Sequence, residues 1–194
     1  MLAGGRSSRF GSDKLAARYQ GVPLLHHAVL RLAEVCREVL VVIPPDGPEP
    51  ALPVAVPARV VRDPAEGEGP LRGVLTGLGH AETQWGLVAG GDMPGLRTAV
   101  LIEMLRVGGE ATVDAVALQD GVAFRPLPCL LRTAEAREAS HALLHEGERS
   151  LRAVLDALRL AVIDEPTWTA LDPGRRTLFD VDAPADLEDA AEDG

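Results

Sequence analysis

Leu24-Leu25-His26-His27-Ala28-Val29-Leu30-Arg31-Leu32-Ala33-Glu34-Val35-Cys36 is followed two residues later by Val39-Leu40-Val41-Val42-Ile43, which stops at Pro44-Pro45. In the first stretch Leu24, Leu25, Ala28, Val29, Leu32, Val35 and Cys36 fall on one helical face; the second is an unbroken apolar run, the mark of a strand covered on both sides. A helix that feeds a buried strand is the repeating unit of an α/β sheet with crossover helices. The same alternation continues along the chain. After a surface connection over Pro44 to Pro57, the pattern predicts a strand over Arg59–Arg62, a helix over Leu71–Glu82 and a core strand over Gly86–Ala89. A helix over Arg97–Val107 and strands near Val113–Leu118 and Pro128–Arg132 follow. Beyond them come helices over Ala134–His145 and Leu151–Leu158, the latter with Ser150 as N-cap, and strands over Leu160–Ile163 and Leu178–Val181. Pro184 opens a final acidic helix.

The chain of 194 residues suits one domain, residues 1–194, and 46% hydrophobic with 25% charged residues reads as soluble and globular. No apolar run reaches the ~18 residues of a membrane span and no secretory signal opens the chain, so the expectation is a cytoplasmic protein that does not engage a membrane. Cys36 and Cys129 are far apart and outside any C-x-x-C pair, which argues for two core thiols. A net charge of −10 with 3% aromatics speaks against a nucleic-acid partner. Seven acids and no base lie in residues 180–194, leaving −3 for the rest, whereas Arg6, Arg9, Lys14 and Arg18 surround the single acid Asp13. A local anion site is therefore expected near the amino end.

That site is written as Leu2-Ala3-Gly4-Gly5-Arg6-Ser7-Ser8-Arg9-Phe10-Gly11-Ser12-Asp13-Lys14. Glycines let backbone N–H groups approach phosphate oxygens, and the cations compensate charge. The spacing matches neither a P-loop nor a dinucleotide-binding fingerprint. Of the 19 basic residues 18 are arginine, and the one lysine is Lys14. A compact ammonium is kept where a phosphate is to be touched. A second constellation, Gly90-Gly91-Asp92-Met93-Pro94, follows an apolar strand directly. Ligands of α/β sheets bind beyond the carboxyl ends of strands, where Asp92 would hold Mg²⁺ on a polyphosphate or serve as a turn residue.

Leu2 to Lys14 is similar to the L-A-G-G-x-S-x-R-[MF]-G-x-D-K signature of the molybdenum cofactor guanylyltransferases, the MobA-type nucleotidyltransferases. Gly69-Pro70-Leu71-Arg72-Gly73 resembles the family's G-P-L-x-G turn, Gly91-Asp92-Met93-Pro94 its x-D-M-P metal motif, and Asp180-Val181-Asp182-Ala183-Pro184 its closing [ND]-x-[ND]-[TA]-P segment. The resemblance implies a three-layer α/β/α, Rossmann-like nucleotidyltransferase fold with a mainly parallel sheet. It implies phosphate contacts from Gly4, Gly5, Ser7, Arg9 and Lys14, a base and ribose pocket lined by Leu2, Ala3, Asp63, Pro70, Leu71 and Gly73, and Mg²⁺ held by Asp92 with Asp182 as a candidate second ligand. Arg9, Lys14 and Asp92 would then be the catalytic residues. The implied reaction moves GMP from GTP to the phosphate of molybdopterin, releasing pyrophosphate, with transient protein partners that deliver the cofactor.

The sequence also departs from that pattern. Met1 stands where the family's first strand should be ending, so the expectation is a truncated central strand and a natural start upstream. Asp180 and Asp182, where guanylyl-transferring members often carry asparagine, resemble the cytidylyl-transferring branch and leave CTP open as donor. A sugar-phosphate acceptor stays open too, as does a nucleotide-binding protein without turnover. Asp182 reads as metal ligand or as helix N-cap, Arg125 as a contact to the acceptor phosphate or part of a turn before a strand, and Arg72 as a phosphate contact or a solvated cation. His26 and His27 are neighbours on a helix and cannot share a face, which excludes a joint metal site. Glu146-Gly147-Glu148-Arg149-Ser150 is expected to cap a helix only.

Overall fold

The computed structural model describes residues 1–3, 14–64, 69–110 and 112–187. A 3-10 turn over Lys14–Ala16 leads into a hairpin, β1 (Arg18–Tyr19) and β2 (Val22–Pro23), whose turn residues Gln20 and Gly21 both have positive φ. Two left-handed residues in a row make the type I′ turn that matches strand twist. There follow α1 (Leu24–Ala33), β3 (Val39–Ile43), β4 (Ala58–Arg62), α2 (Gly69–His80), β5 (Trp85–Val88), α3 (Thr98–Gly108), β6 (Ala115–Asp120), β7 (Ala123–Arg132), α4 (Thr133–His145), α5 (Leu151–Ala157), β8 (Leu160–Ile163) and α6 (Glu165–Leu171).

β5, β7, β6 and β8 form one sheet in that order, and β3 pairs in parallel with β4. The two pieces meet at Leu2, which bridges Val42 on one side and Gly90 on the other, both in parallel. Leu2 N–H donates to Ala89 at 2.9 Å, Ala3 N–H to Val42 at 2.8 Å and Val42 N–H to Met1 at 2.9 Å. The strand order is therefore β4, β3, Leu2, β5, β7, β6, β8. All run one way except β7, which is antiparallel to β5 and β6. The mainly parallel sheet holds.

Alternation along the strands feeds two cores. Val116, Leu118 and Leu130 face a cluster with Val29, Leu101 and Trp168, under α1, α3 and α6. Ala115, Ala117, Cys129 and Leu131 face the other, with Leu71, Val74 and Leu155, under α2, α4 and α5. The period-two split of consecutive residues is what makes three layers. At the centre of the sheet, between β3 and β5, the described residues are Met1–Ala3. Below them lies a largely apolar cavity of about 390 Å³, lined by Val35, Leu40, Leu78, Gly86 and Leu105 among others.

Two expectations need correction. Leu178–Val181 is not a strand: Arg176–Leu178 is a 3-10 turn, and the following backbone serves the Asp92 loop, with Val181 N–H donating to the Asp92 carbonyl at 2.9 Å. The final acidic helix expected from Pro184 onward lies mostly outside the described residues, which hold only a 3-10 turn, Pro184–Leu187. Arg125 lies inside β7, not in a turn before it. The pairing jumps there from Val116 opposite Leu130 to Leu118 opposite Arg125. Pro126 and Pro128, which cannot donate to a ladder, sit in that break. The N-cap at Ser150 is borne out, its side chain accepting from Arg152 N–H at 3.1 Å. His26 and His27 make separate contacts, to the carbonyls of Ala51 and Tyr19.

Candidate active site

Asp92 follows β5 by four residues, and three backbone ties fix its loop. Gly91 N–H donates to the Leu2 carbonyl at 2.8 Å, Val181 N–H reaches Asp92 from the closing segment, and Gly90 N–H points at the Met93 sulfur at 3.3 Å. A Cβ on Gly91 would stand 3.0 Å from Leu25 and 3.3 Å from the Leu2 carbonyl, so a larger residue would push this turn away from the first residues of the chain by a few tenths of an ångström.

Lys14 comes to the same point from the amino end. Its Nζ is 3.0 Å from Asp92 Oδ2 and 3.6 Å from Asp182 Oδ1. The lysine side chain is 12% exposed, against 32% for Asp92 and 64% for Asp182, so the ammonium is embedded and the carboxylates open outward. The lone lysine and the acid after the strand, 78 residues apart, thus converge with the closing segment. Asp182 does not act as the N-cap; its backbone N–H and that of Ala183 instead donate to Asp186 Oδ2, both at 2.7 Å.

Two carboxylates around one ammonium are suitable hard oxygen donors for Mg²⁺, which usually takes one or two carboxylates and completes its shell with phosphate and water. Among the described residues no group of three or more His, Cys, Asp or Glu makes a ready cage. Asp180 is the third acid nearby. Burial, and then the charge of Asp182, hold its carboxyl above the ordinary value, while Arg125 at 3.4 Å opposes the shift.

Leu2, Gly73 and Asp63 cluster at the sheet seam: a Cβ on Gly73 would meet Leu2 Cδ2 at 3.0 Å and Asp63 Oδ2 at 3.6 Å. The Asp63 carboxylate is oriented by a hydrogen bond from the Thr76 hydroxyl, a partner that no sequence motif marks. Ala3 is buried beside them, and Pro70 is exposed. Leu71 points its side chain wholly into the core, so only its backbone is available to a ligand, and its N–H already leans on the Arg149 carbonyl at 3.3 Å. Arg149 thus supports the G-P-L-x-G turn from α5's side, beyond the capping role expected of its segment. Gly4, Gly5, Ser7 and Arg9 lie outside the described residues. The 390 Å³ cavity lies at the seam below Met1 and reaches Leu2 and Gly73, but none of Lys14, Asp63 and Asp92 lines it.

Residues 1–162 match the MobA-like NTP transferase domain. A Chloroflexus aggregans protein named as a probable molybdenum cofactor guanylyltransferase is 35% identical over 193 residues, covering 97% of this chain and 90% of that protein. The molybdenum cofactor guanylyltransferase of Pseudomonas aeruginosa is 35% identical over 171 residues, covering 84% of each. Among solved structures, molybdopterin-guanine dinucleotide biosynthesis protein A of Archaeoglobus fulgidus superposes with a TM-score of 0.78 at 21% identity, covering 98% of this chain and 95% of that one. The 2-C-methyl-D-erythritol 4-phosphate cytidylyltransferase of Thermus thermophilus shares the fold at a TM-score of 0.69 and 20% identity, over 97% of this chain and 94% of that one. With its sheet order, its converging lysine and aspartates, and these relatives, the chain belongs to the MobA-like NTP transferase family of nucleotidyltransferases.

Proposed function

We propose that this protein transfers GMP from Mg·GTP to the phosphate of molybdopterin, releasing pyrophosphate, as a single cytoplasmic domain with nucleotide toward its N-terminal half and acceptor toward its C-terminal half. The observation that carries the reading is the meeting of Lys14 with Asp92 and Asp182 at the end of β5. Transfer forms one P–O bond at the α-phosphorus and breaks one to the β-phosphate; a dianionic acceptor phosphate needs no base. What must be overcome is the approach of like charges, so alignment and neutralisation dominate. Asp92 and Asp182 would hold Mg²⁺, which supplies neutralisation of the triphosphate when bound. Lys14 exchanges its carboxylate contacts for phosphate oxygens and bears on the leaving group. Leu2, Ala3, Asp63, Pro70, Leu71 and Gly73 line the base and ribose pocket, and Gly4, Gly5, Ser7 and Arg9 contribute the remaining phosphate contacts.

Asp180 and Asp182 favour a second reading, with CTP as donor. Calorimetric titration of GTP, CTP and ATP with Mg²⁺, followed by pyrophosphate release on adding molybdopterin, separates the two. Preference for GTP with acceptor-dependent release is expected. Preference for CTP shifts the donor, and nucleotide binding without release for any pterin acceptor removes the transferase assignment.

A further inference from the structure

Beyond Asp180 from Lys14 lies a second cavity of about 310 Å³, lined by Asp120, Arg125, Arg175, Arg176, Leu178 and Phe179. Its three guanidiniums differ in how far they are engaged. Arg175 is committed, paired with Asp120 at 2.8 Å and with Glu165, and lying 5.0 Å over the Trp168 ring. Arg125 is held loosely, at 3.4 Å from Asp180, 3.9 Å from Asp120 and 3.5 Å from the Leu178 carbonyl. Arg176 donates to the Tyr19 hydroxyl at 2.6 Å, stands 4.9 Å over the Phe179 ring, and meets no carboxylate at ion-pair distance among the described residues. In a chain of net charge −10, such a cleft is an anomaly that calls for an anion.

We propose that Arg125 and Arg176 seat the phosphomonoester of the acceptor, with Phe179 as the wall beside it. The inference rests on the transferase reading above and assigns the acceptor end of that site. Planar guanidiniums suit phosphate oxygens, and Arg125 gives up only long contacts to take one. The placement also fits the chemistry. Asp180 pairs with Arg125 at 3.4 Å, and Asp182, two residues on, lies 3.6 Å from Lys14 Nζ, so the closing segment links the cleft to the lysine. The cleft is built in advance. Thr177 N–H donates to buried Asp172 at 2.6 Å, its hydroxyl accepts from Arg97 N–H at 3.2 Å, and Gly95 packs directly on the Arg176 carbonyl.

The test is equilibrium binding of molybdopterin, read by pterin fluorescence, to the full chain and to Arg125→Gln, Arg176→Gln and Arg125→Lys, with neopterin as the unphosphorylated comparison and Mg·GTP binding measured in parallel. Each glutamine variant should weaken molybdopterin binding by about 10-fold or more, the loss of one charged hydrogen-bond donor. Neopterin binding and GTP binding should stay within about twofold, and Arg125→Lys should recover part of the affinity. Equal molybdopterin affinity across the variants overturns the seat, as does a parent chain that does not prefer the phosphorylated pterin. If arginine-dependent molybdopterin binding survives while GTP fails to bind, the seat stands and the nucleotide assignment falls.

Discussion

Replacing Lys14 and Asp92 singly and together probes the contact on which the site depends. At 3.0 Å in an effective dielectric of about 20, the two charges attract by about 5.5 kcal/mol, and desolvation with side-chain ordering cancels most of it. Asp92 is one-third exposed, so a coupling of about 1–2 kcal/mol should survive. The singles are unequal. Asp92→Asn leaves Lys14 its second partner, Asp182 at 3.6 Å, and should cost about 1 kcal/mol. Lys14→Met strands Asp92 and Asp182 against each other and should cost about 2 kcal/mol, with turnover lower by on the order of 10²-fold or more. Urea unfolding of the four proteins at pH 7.5 and low salt gives the cycle. Millimolar MgCl₂, against NaCl of equal ionic strength, should then stabilise Lys14→Met more than the parent, because Mg²⁺ occupies the charge vacated by the ammonium. Additive losses within about 0.3 kcal/mol, together with no selective effect of Mg²⁺, would refute the convergence.

In a chain that begins at Met1, burial holds the terminal amine down from 8.0 to about 6. The unfolded chain then carries a proton that the folded one has shed, so stability should climb by about 2 kcal/mol from pH 6 to 8 relative to an N-acetylated control, and coincident urea curves for the two would exclude it. Gly95→Ala places a Cβ against the Arg176 carbonyl and should cost about 1–3 kcal/mol in thermal unfolding, weakening molybdopterin binding more than GTP binding. Arg159 grips buried Asp114 with two bonds of 2.5 and 2.7 Å, holding that carboxyl below its ordinary 3.8. The stabilisation is present above pH 3.8 and lost as pH falls through the lower folded value; Arg159→Met should lower stability at pH 7 by only part of it, because Arg132 stays 3.4 Å from the carboxylate, with the gap from the parent closing in acid.

The apolar patterning is enough to read most elements, because strands such as β3 and β8 are continuous β-formers and α1 carries its stripe on one face. α6 escapes it: seven residues are too few for a period, although Asp164 accepting from Thr167 N–H, with Pro166 in the first turn, is a start signal that sequence carries. Leu178–Val181 has strand composition yet no ladder partner, and composition does not report pairing. Lys14 and Asp92 are legible from chemistry alone, one by its singularity and the other by its place after a strand. Of the cleft, Arg125 is legible as one of two readings and Arg176 is not, because those residues lie 51 positions apart and arginine is the chain's ordinary cation.

The ties at the sheet seam hold the Asp92 loop in place. Leu2 satisfies Ala89 and Gly91 on β5's side, while Met1 and Ala3 satisfy Val42 and the Met1 amine donates to Leu40 at 2.8 Å on β3's side, so the described rungs to β5's side lie next to Asp92. The cavity lies below Met1, and neither Lys14 nor Asp92 lines it. Stability and catalysis are thereby partly separable: substitutions in the cavity away from Leu2 and Gly73, such as Leu40→Ala, should lower the unfolding free energy without changing Mg·GTP affinity. Gly91→Ala, which pushes on the Leu2 carbonyl and Leu25, should disturb both together. If Leu40→Ala weakened nucleotide binding as much as Gly91→Ala, the seam and the site would be one mechanical unit, and the ties at Leu2 would not be what holds Asp92 in place.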